Sequence, residues 1–511
     1  MLLAEIVDTS RAVAETPART KKTELIASLL GRAAHEELDV AVAFLSGELR
    51  QGKIGLGYGS VRDAAGVAAA GAPGLTLLAV DEVFQRVAET NGTGSARERA
   101  RLLAELFSRA TGGEQQFLAR LVVGELRQGA LEGVLVEAVA RRAKVSSRSI
   151  RRALMLSGDL RRVARVATTR GEEGLSEFRI VLFRPLLPML AQTAESLEAA
   201  FAGAGELALE HKLDGARIQV HKDGRDVRIY TRNLNDVTER VPEIVSAVER
   251  LDAPELVLDG EAIALRADGR PHPFQTTMRR FGRQLDVDSL RAELPIRAFF
   301  FDLLHVRGDD LVDLGERERF RMLTELLPPE LAITHTVAGS AGEARAFLGA
   351  ALALGHEGIL VKSLEAPYEA GRRGAEWLKV KPSHTLDLVV LAVEWGSGRR
   401  RGLLSNLHLG ARDPATGGFV MLGKTFKGMT DEMLKWQTER LLALEVSRSA
   451  HTVYVKPELV VEVAFDGVQE SSQYPGGLAL RFARVKAYRE DKSPSEADTI
   501  DTVRRIHERS R

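Results

Sequence analysis

Lys212 stands inside an apolar, strand-like run, ELALEHKLDGARIQVHKDG (206–224), and is followed at once by Leu-Asp-Gly. A lysine at a strand edge can simply be solvated. It can also be a nucleophile, provided that burial or a nearby cation removes its proton and frees the lone pair. Phosphorus is a demanding target for such an amine. Its oxyanions repel the attack until a metal ion or basic side chains neutralise them. A lysine that attacks a nucleotide therefore needs carboxylates for metal, cations for phosphates, an aromatic face for the base and a ribose contact. The chain supplies each type in strand-like contexts: Glu261 and Glu357; Arg217, Arg232, Arg373, Lys379 and Lys381; Phe301. Glu210 lies two residues before Lys212, on the same face of a strand. Lys379 and Lys381 share a face by the same alternation, as joint phosphate binding requires.

Positioning these groups takes more than one domain. The chain has 511 residues, enough for about three domains. Residues 1–178 read as helix, with apolar residues recurring at three and four. GELRQG occurs at 47–52 and again at 124–129, each copy after an apolar helical run. The repeat suggests two similar helical units facing a pseudo-symmetric partner such as duplex DNA, or a duplicated packing unit with no ligand. Glycines at helix starts would expose N–H groups to phosphates.

Residues 179–384 mix strands and helices, with a hairpin signal at Asp223-Gly224. This predicts an α+β domain with largely antiparallel sheets. Residues 385–511 read as about five strands and one helix, TDEMLKWQTERLLALE, with Thr430 as its N-cap. That pattern fits an OB-fold β-barrel. A hinge is expected near 382–386.

Composition bounds the function. The 44% hydrophobic and 28% charged content is that of a soluble globular protein, and no apolar run is long enough to span a bilayer. The N-terminus lacks the basic region of a secretory signal. Cysteine is absent, which removes thiolate catalysis, disulfides and cysteine-ligated zinc and fits a cytoplasmic location. Lys+Arg and Asp+Glu both number 71, so net charge advertises no partner.

The ordered series HK212LDG215AR, YTR232N, LDGE261, FFFD302, E357GILVK362 and WLK379VK381P resembles the motifs of covalent nucleotidyltransferases, most closely the ATP-dependent DNA ligases. RFARVKAYREDK (481–492) resembles their last motif, with Ala483 where proline is common. The resemblance spans nearly the whole chain: an all-α DNA-binding domain, a nucleotidyltransferase domain and an OB-fold. It implies that Lys212 attacks the α-phosphate of ATP, expels pyrophosphate and holds AMP as a phosphoramidate. Glu210 would accept from the adenine amino group, Phe301 would lie against adenine, and Arg217 and Arg232 would touch ribose and phosphate. Glu261 and Glu357 would bind Mg²⁺ (or Mn²⁺), Glu261 also contacting ribose. Arg373, Lys379 and Lys381 would grip the phosphates, with Lys362 at the α-phosphate. Gly215 would permit a tight turn, and Trp377 reads as a packing residue. Arg484, Arg489, Asp491 and Lys492 would orient the leaving pyrophosphate.

The implied partner is nicked double-stranded DNA, held by a monomeric clamp in the cytoplasm at the nucleoid. Three alternatives share the chemistry or the partner. An RNA ligase of the same superfamily would prefer nicked RNA, a capping enzyme would take label from GTP, and a silent DNA-binding protein would take none. NAD-dependent sealing fits poorly, because those ligases normally carry a cysteine-ligated zinc module.

Overall fold

The computed structural model describes residues 1–126, 132–282, 291–370, 376–382 and 384–509. Among them, ten α-helices run from Leu3 to Ser176. Their ends are chemically marked. Ser146 accepts from Ser149 N–H at the start of Ser147–Ser157, and Asp159 accepts from Arg161 and Arg162 N–H at the start of Leu160–Ser176. Thr111 and Glu114 form a reciprocal capping box.

The repeated hexapeptide behaves differently from expectation. Gly47 adopts φ +79° and ends the helix Leu38–Ser46, and Gly124 adopts φ +70° just after Gly112–Val122. The first glycine of each copy thus closes a helix, where the left-handed conformation favours glycine. It offers no helix-start N–H groups. Arg50 and Gln51 of the first copy both bond to Asp81. Residues 127–129 of the second copy lie outside the described residues.

Two five-stranded sheets follow. In the first the order is Gln192–Thr193, Trp377–Val380, Gly358–Ser363, Leu207–Lys212, His335–Ala338. In the second it is Asp226–Thr231, Ala216–Asp223, Glu255–Ala264, Ile296–Val306, Asp309–Asp310. All neighbours are antiparallel except the first pair, as the alternating patterns predict. Leu213-Asp214-Gly215 crosses from one sheet to the other, so Lys212 ends a strand at their seam. The seam is closely packed. A Cβ on Gly215 would lie 2.4 Å from the Ala262 carbonyl oxygen. Gly215 is therefore required by the approach of the Glu255–Ala264 strand.

The apolar core of the helical segment continues into this layer through Leu186, Met189, Leu213, Phe301, Tyr368 and Trp377. Arg152 reinforces the junction with a bidentate bond to Asp313 at 2.7 and 2.8 Å.

After residue 384 an antiparallel sheet is organised around the long strand His384–Trp395. It pairs with Val460–Phe465 over its first half and with Leu404–Arg412 and Thr452–Val455 over its second. Thr430 caps Asp431–Ala443 as predicted. The apolar run VYVKPELVVEVAFDGV, continuous in sequence, forms three strands, Thr452–Val455, Val460–Phe465 and Gly467–Glu470. Pro457 and the turn at Asp466 divide it. LALRFARVKAY divides at Phe482, whose φ is +56°.

Candidate active site

The lysine strand carries Lys212 to the seam, and the neighbouring strand brings its partner. Lys212 pairs with Gly358 in register, which places Glu357 beside it. Lys212 Nζ lies 2.6 Å from Glu357 Oε2, and Lys381 Nζ bonds to Glu357 Oε1. One carboxylate therefore holds two ammonium groups. Burial alone would raise the Glu357 carboxyl, but Lys212 and Lys381 more than offset it and hold it below the usual range. Glu261 stands on the opposing sheet and accepts from Gly215 N–H at 3.1 Å. Its dense surroundings push it up to about 7, against the opposing pull of Lys212 and Arg217. The surroundings thus shift the two acids in opposite directions near one amine.

A second layer backs this centre. Glu210 and Lys362 are fully buried and paired at 2.6 Å. Lys362 Nζ also lies 4.3 Å from the Trp377 ring centroid and 5.0 Å from that of Phe301. Phe301 is buried, edge-on to Trp377 at 6.0 Å. Arg217 stands over Phe301 at 5.2 Å and makes a bidentate bond to Asp259 at 2.6 and 3.0 Å. It donates as well to the Met189 carbonyl at 2.7 Å. Tyr368 closes the network by donating to Asp259 at 2.5 Å and accepting from Met189 N–H at 3.1 Å. Arg217 is thus committed to Asp259 in this state. Arg232, one residue past its strand, is exposed. Lys379 shares the strand Trp377–Val380 with Trp377, and Lys381 follows directly. Arg373 lies outside the described residues.

The C-terminal strands rest on the same centre. Lys381 Nζ is 3.8 Å from Asp466, which also takes Arg484 at 3.2 Å. Arg481 approaches Asp214 at 3.6 Å. The last motif is divided by this arrangement. Arg484 joins the lysine cluster through Asp466. Arg489 and Lys492 pair instead with Asp387 near the start of the long strand, and Asp491 pairs with Arg489.

Several members of the site escaped the sequence reading. Asp259 was signalled by alternation, two residues before Glu261 on one strand. Tyr368 and Asp466 had no comparable mark, because only tertiary packing brings them in, and Arg481 opens the last motif without having been singled out.

A strand-borne lysine between two carboxylates, backed by buried cations and contacted by the C-terminal β segment, defines a nucleotidyltransferase-type ligase fold. Family models agree along the chain: "DNA ligase N terminus" over residues 63–140, "ATP dependent DNA ligase domain" over 188–381 and "ATP dependent DNA ligase C terminal region" over 400–492. The chain is 61% identical over 511 residues to a "Probable DNA ligase" of Anaeromyxobacter sp. (strain Fw109-5), covering 100% of this chain and 98% of that one. It is 55% identical to a "Probable DNA ligase" of Sorangium cellulosum (strain So ce56), covering 99% and 95%. A solved structure titled "Pmar-Lig_Pre." shares the fold at TM-score 0.61 and 18% identity, covering 96% of this chain and 99% of that one. The chain belongs to the ATP-dependent DNA ligase family.

Proposed function

We propose that Lys212 is the adenylate carrier of this DNA ligase. Its Nζ forms a bond to the α-phosphorus of ATP, the bond to pyrophosphate breaks, and the amine proton is lost. AMP then passes to the 5′-phosphate at a nick in duplex DNA, and the 3′-hydroxyl displaces it to form the phosphodiester. The observation that carries this reading is the Lys212–Glu357–Lys381 chain at the seam of the two sheets. It joins the amine to a group that must bind cations and to one suited to phosphate. Lys362, Lys379 and Lys381 neutralise the phosphates, Phe301 and Glu210 receive adenine, and Arg217 and Arg232 serve ribose and phosphate. Arg373 is assigned to the phosphates by the motif series alone.

Hard carboxylate donors fit Mg²⁺ or Mn²⁺. Glu261 and Glu357 would hold it, and Glu357 already gathers two cations. When bound, the metal supplies charge neutralisation at the phosphates. The chain's own residues align the amine and the leaving group, which is most of the work in phosphoryl-type transfer.

We read residues 1–178 as the DNA-binding domain, 179–384 as the adenylation domain and 385–511 as an OB-type barrel, together a monomeric clamp on nicked DNA. Arg484, Arg489, Asp491 and Lys492 are assigned to leaving-group orientation, Arg484 from its present position and the others after a swing of the domain about 382–386. No helix among the described residues is long and apolar enough to cross a membrane, and a cytoplasmic site of action at the nucleoid follows from the substrate.

The test uses α-labelled ATP, Mg²⁺ and the full chain. Acid-labile label is expected on the wild type and none on Lys212→Ala, with sealing of nicked DNA in preference to nicked RNA. Label on Lys212→Ala would move the nucleophile elsewhere, and preference for RNA would reassign the substrate.

A further inference from the structure

Behind Glu210 lies a buried charge cluster that the reaction as described does not use. His335 is paired with Glu210 in strand register, and Glu316 opens the helix Glu316–Leu326 beside them. One polar atom from each of Glu210, Glu316 and His335 lies within 4.8 Å of the others. Glu210 and Glu316 are 0% and 1% exposed. Glu210 Oε1 is taken by Lys362, but Glu210 Oε2, both Glu316 oxygens and His335 Nε2 are buried without a hydrogen-bond partner. The His335 ring is clamped flat on Phe320, with centroids 3.7 Å apart, and its Nε2 stands 3.3 Å from Glu316.

Among the described residues, the charged groups facing this cluster come from three elements. Lys362 comes from one neighbouring strand, His335 from the other and Glu316 from the helix. Arg319, one helical turn further on, is neutralised by Asp302 at 2.7 Å. Two carboxylates then face one permanent cation. Two buried carboxylates this close do not both ionise readily unless a second positive charge balances them. The His335 imidazole, 3.3 Å from Glu316 and opposite Glu210 in strand register, is the group placed to supply it.

The protonation of Glu210 matters because of what it reads. An ionised carboxylate only accepts, so it favours a 6-amino purine. A protonated one also donates and accommodates a 6-oxo purine. We infer that Glu316 and His335 are positioning residues that keep Glu210 an acceptor, and so set the enzyme's preference for 6-amino over 6-oxo purine nucleotides. The inference rests on Glu210 being the base-reading group. Burial raises the Glu210 carboxyl to about 7 against the pull of Lys362, with Glu316 adding to the rise and His335 opposing it, so its ionisation near neutral pH depends on these neighbours. His335 and Glu316 therefore act on Glu210 with opposite sign.

That opposition supplies the test. The rate of self-labelling per unit nucleotide is measured with ATP and with inosine triphosphate, and their ratio is compared across variants. The ratio is unaffected by the fraction of folded protein. Glu210→Gln, able both to accept and to donate, is expected to collapse the ratio. His335→Gln is expected to lower it about tenfold near neutral pH, with recovery as rising pH removes the shared proton. Glu316→Gln added to His335→Gln restores charge balance and is expected to bring the ratio back to within about twofold of wild type. A packing role for His335 would slow both nucleotides alike, and the second substitution would not rescue it. An unchanged ratio in His335→Gln, with a collapsed one in Glu210→Gln, overturns the inference and leaves the base-reading role standing. An unchanged ratio in Glu210→Gln overturns both.

Discussion

Lys212 and Glu357 are joined twice: Nζ to Oε2 at 2.6 Å, and the Glu357 backbone N–H to the Lys212 carbonyl at 3.0 Å. The backbone bond fixes the register of the two strands, and the register places the side chains. An ion pair of this kind favours the charged form of each partner. The role proposed for Lys212 therefore requires another cation to take the place of Nζ on Glu357.

Glu357→Gln is expected to slow self-labelling by about 100-fold or more, the scale for removing a charged group that organises a transition state. Lys212→Ala is expected to abolish labelling altogether. Single-turnover transfer of labelled AMP to protein measures both. Labelling of Glu357→Gln at the wild-type rate would sink the assignment of this carboxylate.

Glu261 gives the pH dependence. Its carboxyl is raised from an ordinary 4.5 to about 7. A raised carboxyl favours the folded state in its protonated form. That stabilisation is complete below about 4.5 and is lost as pH rises through about 7. Metal binding needs the ionised form. The Mg²⁺ concentration for half-maximal labelling should therefore fall by about tenfold from about pH 6 to about pH 8. Glu261→Gln should raise the Mg²⁺ requirement and flatten its pH dependence. A steep dependence surviving in Glu261→Gln would assign the titration to another group.

Lys212 was legible because it ends a strand-like run, whereas Glu357 and Lys381, each one residue outside its strand, were marked by the ordered motif series. The α+β middle segment was legible from its alternating strand patterns. The five-strand reading of the C-terminal segment was too coarse, since apolar continuity hides the breaks at Pro457, Asp466 and Phe482. The repeat was visible but its glycines were misread: whether a glycine opens or closes a helix depends on φ, and sequence does not carry φ. Asp466 was invisible in principle, and so was the approach of Arg481, the first residue of the last motif, to Asp214. Both depend on how one domain lies on another, and nothing in local spacing encodes that docking.

Asp466 offers a further prediction. Its carboxylate lies 3.8 Å from Lys381 and 3.2 Å from Arg484, so it occupies cations assigned to phosphate. An incoming nucleotide must displace it. Asp466→Asn is expected to tighten ATP binding by about three- to tenfold at low ionic strength, with the gain shrinking as salt screens the cluster. Equilibrium binding to the Lys212→Ala protein separates this from chemistry. Weaker binding would mean that Asp466 promotes the closed arrangement more than it competes.

The pair Arg319–Asp302 holds the rear of the site together. Both side chains are buried, at 0% and 1% exposure, and they bond at 2.7 and 3.0 Å. Arg319 also donates to the carbonyls of Leu314 and Ala366. It thereby ties the helix bearing Glu316 to the strand bearing Phe301 and to the segment leading to Tyr368. Removing one partner leaves a buried charge without its counter-ion. Asp302→Ala is expected to destabilise the protein by about 3–5 kcal/mol. Asp302→Leu combined with Arg319→Met removes both charges and should cost less than the single change. Reversible denaturation where it obtains, or thermal inactivation otherwise, ranks the variants. If the double variant were the less stable, the carbonyl bonds of Arg319 would outweigh its ion pair, and the helix would be held by hydrogen bonding rather than by charge.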